Sequence, residues 1–250
     1  MDRTAPLGRL TWQAGEVVAT RTETYRARSM TLAVPYWAGH RPGQHLDVRL
    51  TAEDGYQAVR SYSITSVPEP DRTTITVELL ESGEVSPYLV EELREGDQVE
   101  LRGPIGGYFV WDGDDDAPLL LVCGGSGVAP LMSILRHRAR IGSTVPTRLL
   151  YSSRSPEDVI YRTELEALDA ADPNLEVIHT FTRMQPPGWT GYRRRIDREM
   201  LAETVWTVEQ GARAYVCGPT RLVETVASGL IDLGYPASQV RTERFGPSGG

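Results

Sequence analysis

Cysteine is almost missing from this chain: Cys123 and Cys217 are the two in 250 residues. A cysteine-ligated iron–sulfur cluster takes four thiolates, so these residues cannot build one alone. Two cysteines in 27.7 kDa also exclude a disulfide-built scaffold and suit a reducing compartment, so a cytoplasmic protein is expected. Long apolar runs are missing too. No segment approaches the ~20 apolar residues of a membrane span, and the opening MDRTAPLGRL has no apolar signal-peptide core. Positive charge is in deficit, with 26 Lys+Arg against 34 Asp+Glu for a net −8; general attraction to nucleic acid or anionic membrane is not expected. The four histidines, His40, His45, His137 and His179, have no metal-ligand spacing, so no metal site is expected.

What is present falls into two grammars. The first half is written in short runs rich in Val, Ile, Thr, Leu and Tyr: Gly15 to Ala19, Ser29 to Val34, His45 to Leu50, Tyr62 to Ser66, Thr73 to Leu80 and Gln98 to Leu101. Turn signals such as Arg41-Pro42-Gly43 and Glu95-Gly96-Asp97 bound them, which predicts an antiparallel barrel or sandwich. One helix is predicted over Ser86 to Arg94, with Ser86 as N-cap and Pro87 at the first helical position. Asp112 to Pro118 reads as a linker between a domain over 1–112 and another over 113–250.

Beyond it, apolar strands alternate with helical patterns. The strands are Leu119 to Val122, Arg148 to Tyr151, Leu175 to Thr182, Ala214 to Val216 and Gln239 to Arg244; the helices are Ala129 to Arg140, Val159 to Ala170, Asp197 to Val208 and Leu222 to Leu233. Unbroken apolar strands between helices imply a parallel sheet covered on both faces, hence an α/β domain.

Gly124-Gly125-Ser126-Gly127-Val128-Ala129-Pro130 follows the first buried strand and opens a helix. Glycines there let backbone N–H groups approach a pyrophosphate, toward which the helix N-terminus turns a partial positive charge. Pro130 stands where a G-x-G-x-x-G fingerprint has its third glycine, and a tight strand–helix turn without ligand stays open. A dinucleotide site also needs a group at the end of the next strand, acidic for the NAD ribose or basic for the extra NADP phosphate. Tyr151-Ser152-Ser153-Arg154 ends that strand. Two hydroxyls and a guanidinium suit a phosphate better than a diol, and Arg183 after the third strand can reach the same side. NADP is therefore expected, with NAD open. Trp189 and Tyr192 either line this site or pack on a loop.

In the β half, Arg60-Ser61-Tyr62-Ser63 places Arg60 and Tyr62 on one strand face and the serines on the other. A guanidinium fork beside an aromatic plane suits a flavin nucleotide, although Arg and Tyr on a sheet face are common. Around it stand Pro42-Gly43-Gln44-His45, Gly83-Glu84-Val85-Ser86, Gly103 to Phe109, Cys217-Gly218-Pro219 and Glu243-Arg244-Phe245-Gly246. In this order and spacing, over about Trp12 to Gly246, the chain resembles the ferredoxin-NADP reductase superfamily.

The resemblance implies a six-stranded antiparallel Greek-key flavin barrel followed by the nicotinamide-nucleotide domain. It implies that Arg60 pairs with the flavin phosphate, that Tyr62 stacks on the isoalloxazine and that Ser63 hydrogen-bonds near its reactive nitrogen. Gly83, Val85 and Ser86 would hold the pyrophosphate of FAD. Gly125, Gly127 and Pro130 match the family's coenzyme turn, where proline is usual; Cys217, Gly218 and Pro219 flank the nicotinamide, and Phe245 lies near the flavin. Ser63, Tyr62 and Cys217 are the implied catalytic side chains, while Cys123 and Cys217 also read as small buried hydrophobes. The implied reaction passes a hydride from NADPH to FAD and then single electrons to a separate acceptor such as a ferredoxin. Arg136, Arg138 and Arg140, or Arg193 to Arg195, could dock that partner or be solvated faces. A free-flavin or small-acceptor reductase, an NADH-linked reductase component of an oxygenase, and a non-catalytic flavin-binding subunit remain alternatives.

Overall fold

The computed structural model describes residues 10–245; Gly246 of the terminal motif and most of the opening decapeptide lie outside them. Six antiparallel strands form the first unit: β1 (Gln13–Thr24), β2 (Ala27–Ala33), β3 (His45–Thr51), β4 (Gln57–Ser63), β5 (Arg72–Glu78) and β6 (Gln98–Ile105). They run in the order β4-β3-β6-β1-β2-β5. An Ile64–Ile75 bridge and a 2.8 Å bond from the Thr65 N–H to the Thr74 carbonyl close the sheet into a barrel. Strand alternation fills it: Val17, Met30, Leu32, Leu46, Val48, Ile75, Val77 and Leu101 point inward as one cluster,. β2 to β3 and β5 to β6 connect strands that are not neighbours, the crossings of a Greek key.

The β5–β6 crossing departs from the sequence expectation. Its helix is one wide π turn, Tyr88–Glu92, closed by the Leu93 N–H on the Tyr88 carbonyl at 2.9 Å, and Ser86 does not cap it. The Ser86 hydroxyl instead accepts from the Leu80 N–H at 3.0 Å and donates to the Leu80 carbonyl. The wider turn lets Leu89 and Leu93 both enter the barrel cluster, so packing sets the turn. β4 also begins five residues before the expected Tyr62, because Gln57 through Ser63 pair continuously with β3.

The second unit is a parallel sheet of β7 (Leu119–Gly124), β8 (Thr147–Ser153), β9 (Leu175–Phe181), β10 (Arg213–Pro219) and β11 (Val240–Phe245), ordered β11-β10-β7-β8-β9. β7 is buried along its length because both faces are covered. Leu119, Leu121 and Cys123 face α1 (Val128–Arg140) and α2 (Arg162–Ala171), while Leu120 and Val122 face α3 (Arg198–Thr204) and α4 (Thr220–Asp232). The helix expected through Val208 ends at Thr204, and a separate 3-10 turn covers Val208–Gln210. No helix among the described residues is long and apolar enough to cross a membrane.

The two units are bonded together. Ser133 of α1 donates to the Ser66 carbonyl at 2.8 Å. Arg136 donates to the Thr65 carbonyl at 2.7 Å while forking onto Glu164 at 2.7 and 2.7 Å. Tyr161 meets Thr76 hydroxyl to hydroxyl. Phe109 and Trp111, ahead of the aspartate run, pack in the core of the second unit, where the Val110 carbonyl accepts from Tyr215 and Arg241. Asp112 and Asp115 are held by Arg41 and Arg213.

Of the two basic runs, Arg138 is buried and Arg136 partly buried, while Arg140 and Arg193 to Arg195 stay exposed. Arg138 is 1% exposed, donating to the Val145 carbonyl and pairing with Asp172. Arg194 pairs with Asp197 and Glu199, and Arg193 with the Trp189 carbonyl. Within the runs, Arg136, Arg138 and Arg194 are neutralised by carboxylates.

Candidate functional site

In a doubly wound sheet the ligand crevice lies outside the carboxyl ends of the strands, where the strand order reverses. Here β8 and β9 lie to one side of β7, and β10 and β11 to the other, so the reversal falls between the ends of β7 and β10. Those ends are the glycine turn and Gly218-Pro219. Gly218 (φ +153°) would put a Cβ 3.1 Å from the Gly124 nitrogen, and a Cβ on Gly127 would stand 2.2 Å from the Cys217 carbonyl oxygen. These glycines let two backbone segments touch.

A cavity of about 400 Å³ opens at this point. Of the motifs singled out in the sequence, Gly124, Gly125, Ser126, Ser152, Ser153, Arg154, Pro219 and Phe245 line it. Gly127, Pro130, Cys217 and Gly218 stand behind it. Arg183 is exposed on the next turn, its backbone N–H 2.9 Å from the Arg154 carbonyl. Trp189 packs on Phe181, 4.8 Å between ring centroids, and Tyr192 bonds Glu203; neither lines the cavity.

Two further lining groups, Arg195 and Arg221, were not legible in the sequence as part of this site. Arg195 and Arg221 join Arg154, and Arg26 reaches in from the barrel, which gives the cavity four guanidinium groups suited to phosphate. Ser153, 6% exposed, also lines it and its Oγ is buried without a partner. Arg195 sits in a basic run that read as surface, and Arg221 opens α4 beyond the Cys-Gly-Pro motif. Thr24, Arg26 and Glu78 enter from the barrel, so both units build the site. The Glu78 carboxylate accepts from the Ser126 N–H at 3.3 Å. An anionic oxygen therefore already meets the glycine turn, as a pyrophosphate would.

Cys217 is fully buried in the core, and burial pushes its thiol well above the ordinary value, so it is no thiolate. Its register partner on β11 is Glu243. Burial pushes the Glu243 carboxyl up to about 7, a value suited to holding or releasing a proton near neutrality. The terminal motif contains Glu243, but nothing in the sequence marked its burial.

The flavin-type residues gather separately, on β4 and the Gly83–Ser86 loop. Leu46 pairs with Tyr62 and Val48 with Arg60, so the two share one face of β4 as alternation predicted, Tyr62 half-buried and Arg60 exposed at its edge. Ser61 faces the other way, bonding Asp47 at 2.7 Å. Tyr62 is half-buried against the barrel core; burial raises its hydroxyl far above the ordinary value, with Arg60 pulling the other way. Ser63 is buried and in register with His45, whose ring burial holds neutral by lowering its pKa, against Asp47.

Arg60 reaches the loop. Its Nη2 donates to Glu84 at 2.5 Å, and the Tyr56 hydroxyl donates to the same carboxylate at 2.7 Å. Those two bonds hold the Glu84 carboxyl below its usual value. Gly83 cannot carry a side chain, since its Cβ would lie 2.9 Å from the Ser86 Oγ and 3.0 Å from the Leu80 carbonyl oxygen. Val85 is 1% exposed and anchors the loop in the barrel. A guanidinium already holding an oxyanion, over a loop drawn tight by Gly83, fits a flavin phosphate. Among the described residues no three His, Cys, Asp or Glu side chains converge to hold a metal.

Comparison with known proteins covers both units. Residues 16–110 match the model of an oxidoreductase FAD-binding domain, and residues 121–228 that of an oxidoreductase NAD-binding domain. A glycine betaine monooxygenase reductase subunit of Pseudomonas aeruginosa is 31% identical over 252 residues, 97% of this chain and 68% of that protein. The reductase component of a Pseudomonas putida naphthalene 1,2-dioxygenase system, described as ferredoxin–NAD(P)(+), is 28% identical over 94% of this chain and 69% of its own. The flavohem-like FAD/NAD-binding domain of a nitric oxide dioxygenase from Vibrio cholerae superposes with a TM-score of 0.85 at 23% identity, covering 94% of this chain and 99% of that one.

Proposed function

The chain belongs to the ferredoxin-NADP reductase superfamily as an NAD(P)H-dependent flavoprotein oxidoreductase, and we propose that it draws on NADPH, through FAD, to feed single electrons to a separate ferredoxin-type acceptor. The observation that carries this reading is the cavity at the strand-order reversal, which is lined by both units and contains four arginines, Arg26, Arg154, Arg195 and Arg221. A bound flavin supplies the chemistry, taking two electrons as a hydride and giving them up one at a time.

The chain's own residues supply place and surroundings. Arg60 holds the flavin phosphate in the position Glu84 now takes, and the Gly83–Ser86 loop bounds the pyrophosphate. Tyr62 offers the ring plane, and Ser63 an uncharged hydroxyl beside it. On the other side Gly125 and Ser126 turn N–H groups to the coenzyme pyrophosphate, Gly127 and Pro130 shape that turn, and Ser152 and Arg154 take the ribose phosphate, with Arg183 flanking. Cys217, Gly218 and Pro219 form the wall for the nicotinamide, and Phe245 closes the cavity against water. Glu243, half-buried beside Cys217 on the next strand, holds a proton near neutral pH. A division near Asp112 separates the two tasks.

The acceptor reading draws on the printed description of the naphthalene system relative and on the two cysteines, both buried, which leave these residues no cluster of their own. The preference for NADPH draws on Arg154, Arg195 and Arg221. Steady-state kinetics with both coenzymes and a panel of ferredoxins tests both points. The expected result is a lower KM for NADPH than NADH, an advantage lost in Arg154→Gln, and ferredoxin reduction faster than reduction of free flavin. Equal KM values in wild type and Arg154→Gln overturn the NADPH assignment; turnover with free flavin alone overturns the acceptor.

A further inference from the structure

Two acidic residues line the cavity with its four arginines: Asp158 accepts from the Ser155 hydroxyl, and Glu78 comes from the barrel. It ends β5, and its Oε2 stands 3.3 Å from the Ser126 nitrogen and 3.6 Å from where a Gly125 Cβ would be. The helix it faces has no cap of its own: α1 has neither a side-chain cap nor an acidic residue in its first turn. A carboxylate from the other domain therefore takes the place that helix geometry offers an anion. Glu78 and a pyrophosphate cannot both hold the Ser126 N–H, and at this separation two anions repel strongly.

The turn between β1 and β2 offers the displaced carboxylate another partner. The Leu79 N–H donates to the Arg26 carbonyl at 2.7 Å, which places Arg26 beside Glu78, and both side chains line the cavity. Arg26 donates from Nη2 to the Leu79 carbonyl at 2.9 Å and its Nη1 lies 3.9 Å from Glu81. Its Nε is buried with no partner.

Resting on the coenzyme-site reading above, we infer that Glu78 sets coenzyme affinity by competing with the coenzyme pyrophosphate for the glycine turn, and that it moves onto Arg26 when the coenzyme enters. Glu78 is in this account a positioning residue that tunes KM; no bond of the substrate is made or broken at it. The device keeps affinity below what Arg154, Arg195, Arg221 and the helix terminus would otherwise give, which favours release of the oxidised coenzyme.

The test is calorimetric titration of the full chain with NADP+ and NAD+. Glu78→Gln keeps the side chain's shape and removes its charge. Its Kd is expected to fall at least about fivefold at low salt, with the gain shrinking as ionic strength screens the repulsion. Arg26→Gln is expected to weaken binding in the wild-type background and to have a smaller effect in the Glu78→Gln background, where no carboxylate needs a second partner. A Kd unchanged or raised in Glu78→Gln, or equal Arg26→Gln effects in both backgrounds, overturns the inference while the coenzyme site stands. A wild-type chain that binds neither coenzyme overturns both.

Discussion

Single residues carry the chemistry of both phosphate positions, and in each a carboxylate now makes the bond that a phosphate would make. Arg60 and Tyr62 share a strand face, but the order of the surrounding motifs, not that common pairing, is what singled Arg60 out in the sequence. Glu84, which holds it, was quoted only as part of a loop. Arg60→Ala is expected to weaken FAD binding about 10- to 100-fold, the range of one charge-assisted fork; Glu84→Gln, which removes the competitor, should bind FAD at least as tightly as wild type. Flavin release followed by fluorescence checks both.

Glu243 gives a pH signature. Its carboxyl titrates at about 7 in the folded chain against an ordinary 4.5, so the fold holds a proton that the unfolded chain has lost. Its contribution is complete below pH 4.5, declines as pH rises toward 7, and is absent above that. Glu243→Gln should therefore raise Tm at pH 8 and leave it unchanged at pH 4, as thermal denaturation at both pH values will show. Cavity residues such as Arg195 and Arg221 escaped the sequence reading because proximity that arises only from packing leaves no local pattern.

The secondary-structure elements were read more completely than their ends. Continuous apolar runs over 119–122 and 148–151 identified a sheet buried on both faces because covering helices remove the polar alternation. The π turn at Tyr88–Glu92 was missed because two leucines in the barrel mouth set its width and Ser86 is committed to Leu80. At this scale the junction of α1 with its neighbours is the critical joint. Gly127→Ala would place a methyl 2.2 Å from the Cys217 carbonyl oxygen; it should cost about 1–3 kcal/mol and weaken coenzyme binding more than flavin binding, as paired titrations will show. Arg136→Ala removes the fork to Glu164 and the bond to the Thr65 carbonyl, for a loss of about 2 kcal/mol measurable by denaturant unfolding.

At the scale of the whole molecule the two grammars of the sequence became two packed units, a closed barrel and a doubly wound sheet, bonded through Ser66, Thr65, Thr76 and Val110. The basic runs changed meaning here: Arg138, read as a docking candidate, is buried on Asp172, and Arg195 turns into the cavity. Motif order revealed the family because barrel, turn and terminal strand must all meet at one crevice, whereas the residues that adjust affinity come from whichever strand passes near it. The central claim is that the barrel holds FAD where NADPH in the cavity can reduce it. Anaerobic stopped-flow mixing of the flavin-loaded protein with NADPH tests it most directly. The account predicts rapid loss of the oxidised flavin absorbance, slowed at limiting coenzyme by Arg154→Gln; a flavin that stays oxidised with both NADPH and NADH would contradict it.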